Sequence, residues 1–287
     1  MPRRRTKGAS GASFGKGNRK LLYALLIVLI VGICLLIYGW WDTSRFDVRK
    51  TTIELERLPA AFDGFTILQV SDLHDCAYGR DGTALIRAMN SLSMDMIAIT
   101  GDLLDRHRPD KRDNGYRFAQ EAARKGPTCF VEGNHEWRIG WPKIKADLTE
   151  RGVRVLETER ITLERDGARL DLIGIMEKTD DKQIKSLVSE GICSVLLAHH
   201  PERIEAYVQA GVDLVLSGHA HGGQVRLFGH GLFSPNQGVF PRYTSGEYRF
   251  GQTKLYVSRG AGNHSFLPPR IFDRPEIDLI TLKKPSQ

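Results

Sequence analysis

Two histidines one residue apart, His219 and His221, place the strongest constraint on how this 287-residue chain folds. They follow the apolar run 213–216, which predicts a buried strand, and they lie in the glycine-rich segment 217–224. In extended backbone, residues i and i+2 point to the same side, so we expect both imidazoles to project together from the strand's carboxyl end. Neutral imidazole is a good ligand for zinc, iron and related ions. Because a metal needs more than two ligands, the fold must bring further polar groups to this strand end.

Polar side chains follow the other predicted strands in the same way. The strands predicted over 65–70, 94–100, 128–132 and 192–198 each run into one or two such residues. These residues are Asp72 and His74, Asp102, Asn134 and His135, and His199. In open α/β sheets the carboxyl edge is where ligands bind. This mixture of oxygen and nitrogen donors suits manganese, iron, zinc or magnesium.

The candidate ligands are more numerous than one ion needs. Two ions roughly 3.5–4 Å apart that share an aspartate would use them all, and such a pair can clamp a phosphoryl group and activate a water at neutral pH. Each short motif is weakly specific by itself, because Asp-x-His and Gly-Asp are common in turns. Their combination after successive strands predicts a binuclear site.

The N-terminal region predicts a membrane anchor. Residues 21–41 carry no charge and are long enough to cross a bilayer, and Trp40 and Trp41 stand where interfacial aromatics belong. A cleaved signal peptide would have a shorter apolar core followed by small residues, which this sequence lacks. We therefore predict a disordered basic tail over 1–20 and a transmembrane helix over 21–41. The positive-inside rule places the tail in the cytoplasm and residues 42–287 outside it, although a cytoplasmic face stays open.

The net charge of +7 does not indicate a nucleic-acid-binding face. Residues 1–20 hold seven basic residues and no acid, which leaves the rest of the chain with no net formal charge. We expect no stable nucleic-acid partner. Cys34, Cys76, Cys129 and Cys193 form no CxxC pair and are predicted to be packing residues.

Domain organisation follows from the order of the predicted elements. Residues 42–64 form a juxtamembrane segment with a first strand over 51–58, and residues 65–287 form one domain. Its first half alternates strands and helices, and its second half is more antiparallel, beginning with a hairpin over 161–173 that turns at Asp166-Gly167.

The motifs together resemble a known family. They are Asp72-Leu73-His74, Gly101-Asp102, Gly133-Asn134-His135-Glu136, His199 and Gly218-His219-Ala220-His221. Over residues 66–257 they resemble the calcineurin-like metallophosphoesterase superfamily. The anchor, with segments 222–224 and 235–238, resembles a bacterial membrane-associated branch, some members of which hydrolyse the pyrophosphate of UDP-2,3-diacylglucosamine. The resemblance implies an α/β (α+β) fold, in which two facing mixed β-sheets are flanked by helices in a four-layer sandwich.

The resemblance also implies a role for each residue. Asp72, His74 and His221 would hold one divalent metal ion. Asn134, His199 and His219 would hold the second, and Asp102 would bridge the two. His135 would contact the phosphate and help to protonate the leaving oxygen, so that His135, Asn134 and Asp102 form the catalytic set.

Residues around these ligands carry less specific predictions. Glu136 is expected to cap a turn, with orientation of His135 as the alternative. Asp75 and Asp105 are expected to be solvated loop residues, with hydrogen bonding to the ligands as the alternative. Arg242, Tyr243, Arg259 and His264 are candidate substrate contacts, with ordinary surface or neighbouring positions as the alternative. His107, His200 and His230 are expected to be neighbours of the site and not ligands.

The sequence therefore predicts a membrane-anchored, metal-dependent phosphoesterase that hydrolyses a phosphodiester or pyrophosphate bond, with a lipid-linked substrate as one possibility. Segment 228–240 supplies apolar side chains near the last ligands, which would grip the acyl chains of such a substrate, dip into the membrane interface or belong to the core. The alternatives are a metal-stabilised binding module without catalysis and a phosphodiesterase that acts on nucleotides or nucleic acid. Metal identity and oligomeric state stay open.

Overall fold

A computed structural model of the protein describes residues 16–108, 110–263 and 269–286. Within these ranges the chain forms seven α-helices and sixteen strands. The helices are α1 (Lys16–Thr43), α2 (Ala84–Asn90), α3 (Asp113–Lys125), α4 (Asn134–Arg138), α5 (Trp141–Glu150), α6 (Asp181–Leu187) and α7 (Ile204–Ala210). The strands are β1 (Asp47–Glu54), β2 (Thr66–Val70), β3 (Met96–Thr100), β4 (Thr128–Val131), β5 (Arg154–Val155), β6 (Glu159–Arg165), β7 (Ala168–Gly174), β8 (Ser194–Leu197), β9 (Leu214–Ser217), β10 (Arg226–Leu227), β11 (His230–Gly231), β12 (Phe233–Ser234), β13 (Gly238–Val239), β14 (Gly246–Phe250), β15 (Thr253–Val257) and β16 (Glu276–Lys283).

Two six-stranded mixed sheets carry the domain. The first has the order β1-β16-β2-β3-β4-β5, and the second has the order β14-β15-β9-β8-β7-β6. In the first sheet β2 to β5 are parallel, and β16 lies antiparallel to β2. In the second sheet β7, β8, β9 and β15 are parallel, with antiparallel strands at both edges. The parallel strands of each sheet therefore share one carboxyl edge.

The apolar core forms three layers, which produce the predicted sandwich. Ile67 of the first sheet and Leu216 of the second lie in one buried cluster between the sheets. Phe118 of α3 packs on the outer face of the first sheet, and Tyr207 of α7 packs on the outer face of the second. Burial of each large apolar side chain contributes about 1.5–3 kcal/mol. The predicted fold class, two facing mixed sheets flanked by helices, is confirmed.

The N-terminal apolar segment is helical. Helix α1 contains a stretch, Arg19–Thr43, that is long and apolar enough to cross a membrane. Residues 16–20, predicted as part of a disordered tail, belong to this helix, and residues 1–15 lie outside the described residues. The chain divides into two compact units, up to Tyr38 and from Gly39 onward.

Residues 42–64 belong to the second of these units. Strand β1 pairs along its whole length with β16 near the C-terminus, so the predicted domain boundary at residue 65 falls inside one compact unit. The first strand was predicted over 51–58 and begins four residues earlier, at Asp47.

The second half confirms one local prediction and corrects another. The predicted Asp166-Gly167 turn joins β6 to β7, with both residues in left-handed backbone. The apolar pattern of residues 224–227 predicts a strand over all four residues. The structure has only a two-residue strand there, in a hairpin, β10–β11, which a second hairpin, β12–β13, follows. All four cysteines are free.

Candidate metal centre

The predicted ligands come together where the carboxyl edges of the two sheets meet. Asp72 and His74 follow β2, Asp102 follows β3 and Asn134 follows β4 in the first sheet. From the second sheet, His199 follows β8, and His219 and His221 follow β9. Six of these seven residues, all except Asn134, belong to two groups of side chains that could each hold a metal ion, one around His221 and one around His199.

The first group consists of Asp72, His74 and His221, all buried. The Nε2 atoms of His74 and His221 lie 3.1 Å apart, and His221 Nε2 lies 3.5 Å from Asp72 Oδ1. Both oxygens of Asp72 also accept hydrogen bonds from the backbone N–H of His219, at 3.0 and 3.1 Å. This second contact ties the Asp72 carboxylate to the turn that carries both histidines.

The second group consists of Asp102, His199 and His219. His199 Nε2 lies 3.2 Å from Asp102 Oδ2 and 3.1 Å from His219 Nδ1. The same Asp102 oxygen lies 3.9 Å from His74 Nε2, so this one carboxylate reaches both groups.

The donor atoms fit divalent cations. Asn134 Oδ1 is buried and has no hydrogen-bond partner, as expected of an amide oxygen reserved for a cation. Burial lowers the pKa of His219 and of His221 well below the usual histidine range, which keeps both imidazoles neutral with a lone pair to donate. Imidazole, carboxylate and amide donors without thiolate suit the hard-to-borderline metals that the sequence predicts.

The Asp102 carboxylate is held in its ionised form. Burial raises its pKa, but the charges of His199 and His135 outweigh burial and hold the pKa of Asp102 well below its usual range. Burial conversely raises the pKa of Asp72. Asp102 is therefore the permanent negative charge that a pair of cations would share.

The backbone of the centre is strained. Asp72, His74, Asp102, His219 and His221 all adopt left-handed backbone, with φ between 45° and 66°. Non-glycine residues in this region cost on the order of 1 kcal/mol each and cluster at functional sites. The expectation of extended backbone through 219–221 is wrong, because β9 ends at Ser217 and His221 begins a short 3₁₀ turn. The two imidazoles consequently enter different groups instead of projecting together.

Two glycines allow the sheets to meet at the centre. A Cβ atom on Gly218 would overlap Ser71 Oγ and the Asp72 carboxylate, and one on Gly133 would overlap the Asp102 carboxylate. The Gly-His-x-His and Gly-Asn-His motifs therefore need their glycines as well as their ligands, because only glycine lets the two turns approach Asp72 and Asp102 closely.

His135 stands beside Asp102 with a defined tautomer. The backbone N–H of Arg106 donates to His135 Nδ1 at 3.0 Å, and His135 Nε2 lies 4.0 Å from Asp102 Oδ2. With Nδ1 accepting, the proton of the neutral ring is on Nε2, which faces the centre. Burial lowers the pKa of His135, but Asp102 and Asp105 raise it by more.

Three acidic neighbours are more ordered than their sequence indicates. Glu136 caps the turn as predicted, and it also accepts hydrogen bonds from the backbone N–H groups of Asp102 and Leu104. The prediction that Asp75 and Asp105 are solvated is wrong. Both side chains are buried. Asp75 accepts a hydrogen bond from the backbone N–H of Gly115, and Asp105 lies 3.5 Å from His135 Nδ1.

The predicted substrate contacts occupy different environments. Arg242 is exposed, Tyr243 is buried against Tyr248 and Phe250, and Arg259 Nε donates to Glu276 at 2.7 Å. The substrate role of these three stays a prediction. His264 lies outside the described residues.

Sequence reasoning missed one buried cation beside the centre. Arg270 Nη2 lies 3.1 Å from His221 Nδ1, and the side chain is fully buried. It stands far from the ligand motifs in sequence, in a segment without a strand pattern, so nothing local indicated it. His200, expected as a neighbour, bonds Glu177 and Glu202 at 2.6 and 2.9 Å, and its ring centroid lies 4.2 Å from that of His219.

Comparison with known proteins identifies the family. The family model described as calcineurin-like phosphoesterase matches residues 65–223, which contain all seven predicted ligands. The metallophosphoesterase YkuE of Bacillus subtilis is 33% identical over 256 residues, 84% of this chain and 87% of that protein. A zebrafish transmembrane protein with a metallophosphoesterase domain is 28% identical over 304 residues, 98% of this chain and 66% of that protein.

Among solved structures, the sulfate thiohydrolase SoxB of Thermus thermophilus superposes with a TM-score of 0.49 at 16% identity, over 79% of this chain and 57% of that chain. The family match and the relatives agree with the fold and with the donor groups at its sheet edge. The chain therefore belongs to the calcineurin-like phosphoesterase family of metal-dependent phosphoester hydrolases.

Proposed function

We propose that the protein is a membrane-anchored phosphodiesterase or pyrophosphatase with two metal ions in its active site. The observation that carries this proposal is the position of Asp102, whose Oδ2 atom lies 3.2 Å from His199 Nε2 in one group and 3.9 Å from His74 Nε2 in the other. A carboxylate in this position can contact two cations, one in each group.

The ligand assignment follows the two groups. Asp72, His74 and His221 would hold one ion, Asn134, His199 and His219 the other, and Asp102 would contact both. Two divalent ions held there would supply Lewis-acid activation of a phosphoryl oxygen and a water that is nucleophilic at neutral pH. The buried, ionised Asp102 and the neutral rings of His219 and His221 are already in the protonation states that metal binding requires.

His135 would protonate the leaving oxygen. Its Nε2 proton faces the centre because the Arg106 N–H group occupies Nδ1. Its backbone N–H donates to Asp102 Oδ1 at 2.8 Å, so the imidazole and the shared carboxylate keep a fixed relation. A positioned general acid of this kind typically contributes about 10²–10⁴-fold to the rate.

Membrane anchoring is supported by helix α1 and by a relative. The stretch Arg19–Thr43 is long and apolar enough to span a bilayer, and the zebrafish relative is named as a transmembrane protein. A fixed anchor raises the effective concentration of the enzyme at the membrane surface, which favours phosphoesters that are themselves bound there.

Removing the shared carboxylate tests the proposed chemistry. We expect Asp102→Asn and His221→Ala to lose metal-dependent hydrolysis of bis-p-nitrophenyl phosphate by at least about 10³-fold, because each change disrupts a metal position. Metal content by elemental analysis should fall below two ions per chain in both variants. Asp166→Asn, an exposed turn residue at the opposite end of the second sheet, and His230→Ala serve as matched controls and should keep full activity.

Two outcomes contradict the proposal. Turnover by metal-free protein would exclude metal-dependent catalysis at this site. A full complement of two ions without turnover on any phosphoester would instead indicate a metal-stabilised binding module.

A further inference from the structure

Exposed apolar side chains cluster on the segments that follow the last metal ligand. Six such residues are found on the two hairpins and on the segment beside them. They are Leu227, Phe228, Phe233, Val239, Phe240 and Phe272, here called the aromatic patch. Phe228 is fully exposed, and Phe240 and Val239 are 77% and 69% exposed. Single exposed apolar residues are ordinary, but a group of this kind on a few adjoining segments marks an interaction surface.

Hydrogen bonds join these segments into one surface. Phe233 pairs with Val239 across β12 and β13, and the Phe240 N–H donates to the Leu232 carbonyl at 2.9 Å. The Arg226 N–H donates to the carbonyl of Ile271 at 3.0 Å, which brings the segment of Phe272 against the first hairpin. The segments that carry the aromatic patch are therefore held together by backbone hydrogen bonds, and the patch begins six residues after His221.

The fold does not require aromatic residues at these positions. Phe228, Phe240 and Phe272 all adopt left-handed backbone, with φ of 51°, 55° and 55°. The Asp166-Gly167 turn has the same geometry as Phe228-Gly229, with φ of 49° and 76° against 51° and 84°, and uses a polar residue there. A phenylalanine at such a position lowers stability in two ways, because its side chain is exposed to water and its backbone is strained. We therefore expect its role to lie in a contact outside the domain.

The charge around the aromatic patch matches a membrane surface. Residues 214–246 contain no Asp or Glu, whereas Arg226 and Arg242 flank the apolar side chains. Aromatic and basic residues together, without acids, are typical of segments that lie in the headgroup region of anionic bilayers.

The chain enters its apolar helix beside this surface. The Arg270 N–H donates to Thr43 Oγ1 at 2.9 Å, and the backbone of Gly39 lies against the Arg270 carbonyl. Ile271, the next residue, bridges to Val225 at the base of the first hairpin. Trp40 is 77% exposed at the same end of the helix. The segment 270–272 therefore contacts the last residues of the apolar helix through Arg270 and carries Phe272 of the aromatic patch.

We propose that the aromatic patch inserts into the headgroup region of the bilayer that holds helix α1, which would keep the metal centre next to phosphoesters at the membrane surface. This inference rests on the proposed anchoring, and not on catalysis. A lipid surface is favoured over a protein partner for two reasons. The aromatic patch adjoins the chain's entry into an apolar helix, and residues 214–246, which carry both hairpins, contain no acid, while Asp273 beside Phe272 is fully buried.

Environment-sensitive probes test the proposal on the full chain in nanodiscs of phosphatidylglycerol and phosphatidylcholine. A nitrobenzoxadiazole label is attached at residue 228 or residue 166, with Phe228→Cys or Asp166→Cys in a Cys34→Ser background. The chain labelled at its exposed Cys34 reports insertion of the helix. All three labelled chains also carry Cys76→Ser, because Cys76 is only partly buried, whereas Cys129 and Cys193 are buried. Asp166→Cys is the matched control, because it shares the turn geometry and exposure of Phe228.

The expected result is a blue-shifted emission at residue 228 that spin-labelled lipids quench, and a water-like, unquenched emission at residue 166. A further substitution, Phe240→Ser, should lower the inserted fraction of the residue 228 probe about tenfold, as expected for loss of one aromatic side chain that is buried in the bilayer.

Water-like emission at residue 228, with a lipid-quenched probe at Cys34, overturns the proposal while leaving the anchor intact. A blue-shifted probe at residue 228 that lipids do not quench also overturns it, in favour of a second copy or another protein. Hydrolysis of bis-p-nitrophenyl phosphate in the same nanodiscs reports separately on the proposed catalysis.

Discussion

Glu136 fixes the geometry around the shared carboxylate without reaching a metal position itself. Its two oxygens accept three backbone N–H groups, from Asp102 at 3.0 Å, Gly133 at 3.0 Å and Leu104 at 2.8 Å. These bonds hold the left-handed turn of Asp102 against the turn that carries Asn134 and His135. The strain at Asp102 therefore persists because a buried side chain fastens both sides of it.

Replacing this carboxylate by an amide tests that function. In Glu136→Gln one acceptor oxygen becomes an NH₂ group, so at least one buried N–H loses its partner. We expect a loss of about 1–3 kcal/mol in the free energy of unfolding. We also expect a lower kcat for bis-p-nitrophenyl phosphate with metal saturating. Urea unfolding and steady-state kinetics measure the two effects, and Glu164→Gln on the exposed face of β6 is the control. Unchanged unfolding and unchanged kcat would show that the three bonds are dispensable.

For single residues, the sequence predicts which side chains are ligands better than it predicts their backbone conformation or burial. Polar residues after strands identify the two ligand groups because parallel strands share an edge. Left-handed backbone at His219 and His221 could not be read from the sequence, since contacts with distant parts of the chain impose it. The burial of Asp75 likewise depends on Gly115, which is 40 residues away.

At the scale of elements, the centre depends on the contact between two sheets. Gly218 follows β9 in the second sheet and lies against Ser71 and Asp72, which follow β2 in the first. Gln69 of β2 strengthens the same contact by donating to the Ser217 carbonyl at 2.9 Å. The spacing of the sheets at this point decides whether the ligands of both can share cations.

A single methyl group at this contact should uncouple the two sheets. We expect Gly218→Ala to reduce metal-dependent activity by about 10²-fold or more, because misplacing catalytic groups by about 1 Å has that effect. Far-UV circular dichroism should stay native, since the six strands of each sheet are retained. Gly126→Ala is the matched control, because a Cβ there meets nothing within 4 Å. Equal activity in the two variants would show that the sheets tolerate a wider spacing.

Long elements were predictable and short ones were not. The hairpin predicted over 161–173 has clear alternation, and the structure confirms it within a few residues as β6–β7. Strands β10 to β13 have two residues each, which is too short for any alternation to show. The position of β16 between β1 and β2 is a pairing over more than 200 residues, and local pattern contains no information about it.

At the scale of the whole molecule, sidedness decides which substrates the centre can meet. The seven basic residues among residues 1–20 favour a cytoplasmic N-terminus, which would place residues 42–287 on the outer side. UDP-linked lipid precursors are made in the cytoplasm, so an outer domain would act on headgroup, wall or scavenged phosphoesters instead.

Protease shaving of intact bacterial spheroplasts that express the chain with a C-terminal tag measures this sidedness. We expect the protease to remove the tag while a cytoplasmic marker protein stays intact, because the basic tail should be retained inside. Replacing Arg3, Arg4, Arg5 and Lys7 by serine should weaken this orientation and protect a fraction of the tag. The same substitutions should leave the activity of the domain unchanged, because they lie outside the compact unit that begins at Gly39. A tag that resists protease until lysis would place the centre on the cytoplasmic face. In that case the aromatic patch and the metal centre would face the leaflet where nucleotide-linked lipids are made, and a pyrophosphate in such a lipid would become the first substrate to assay.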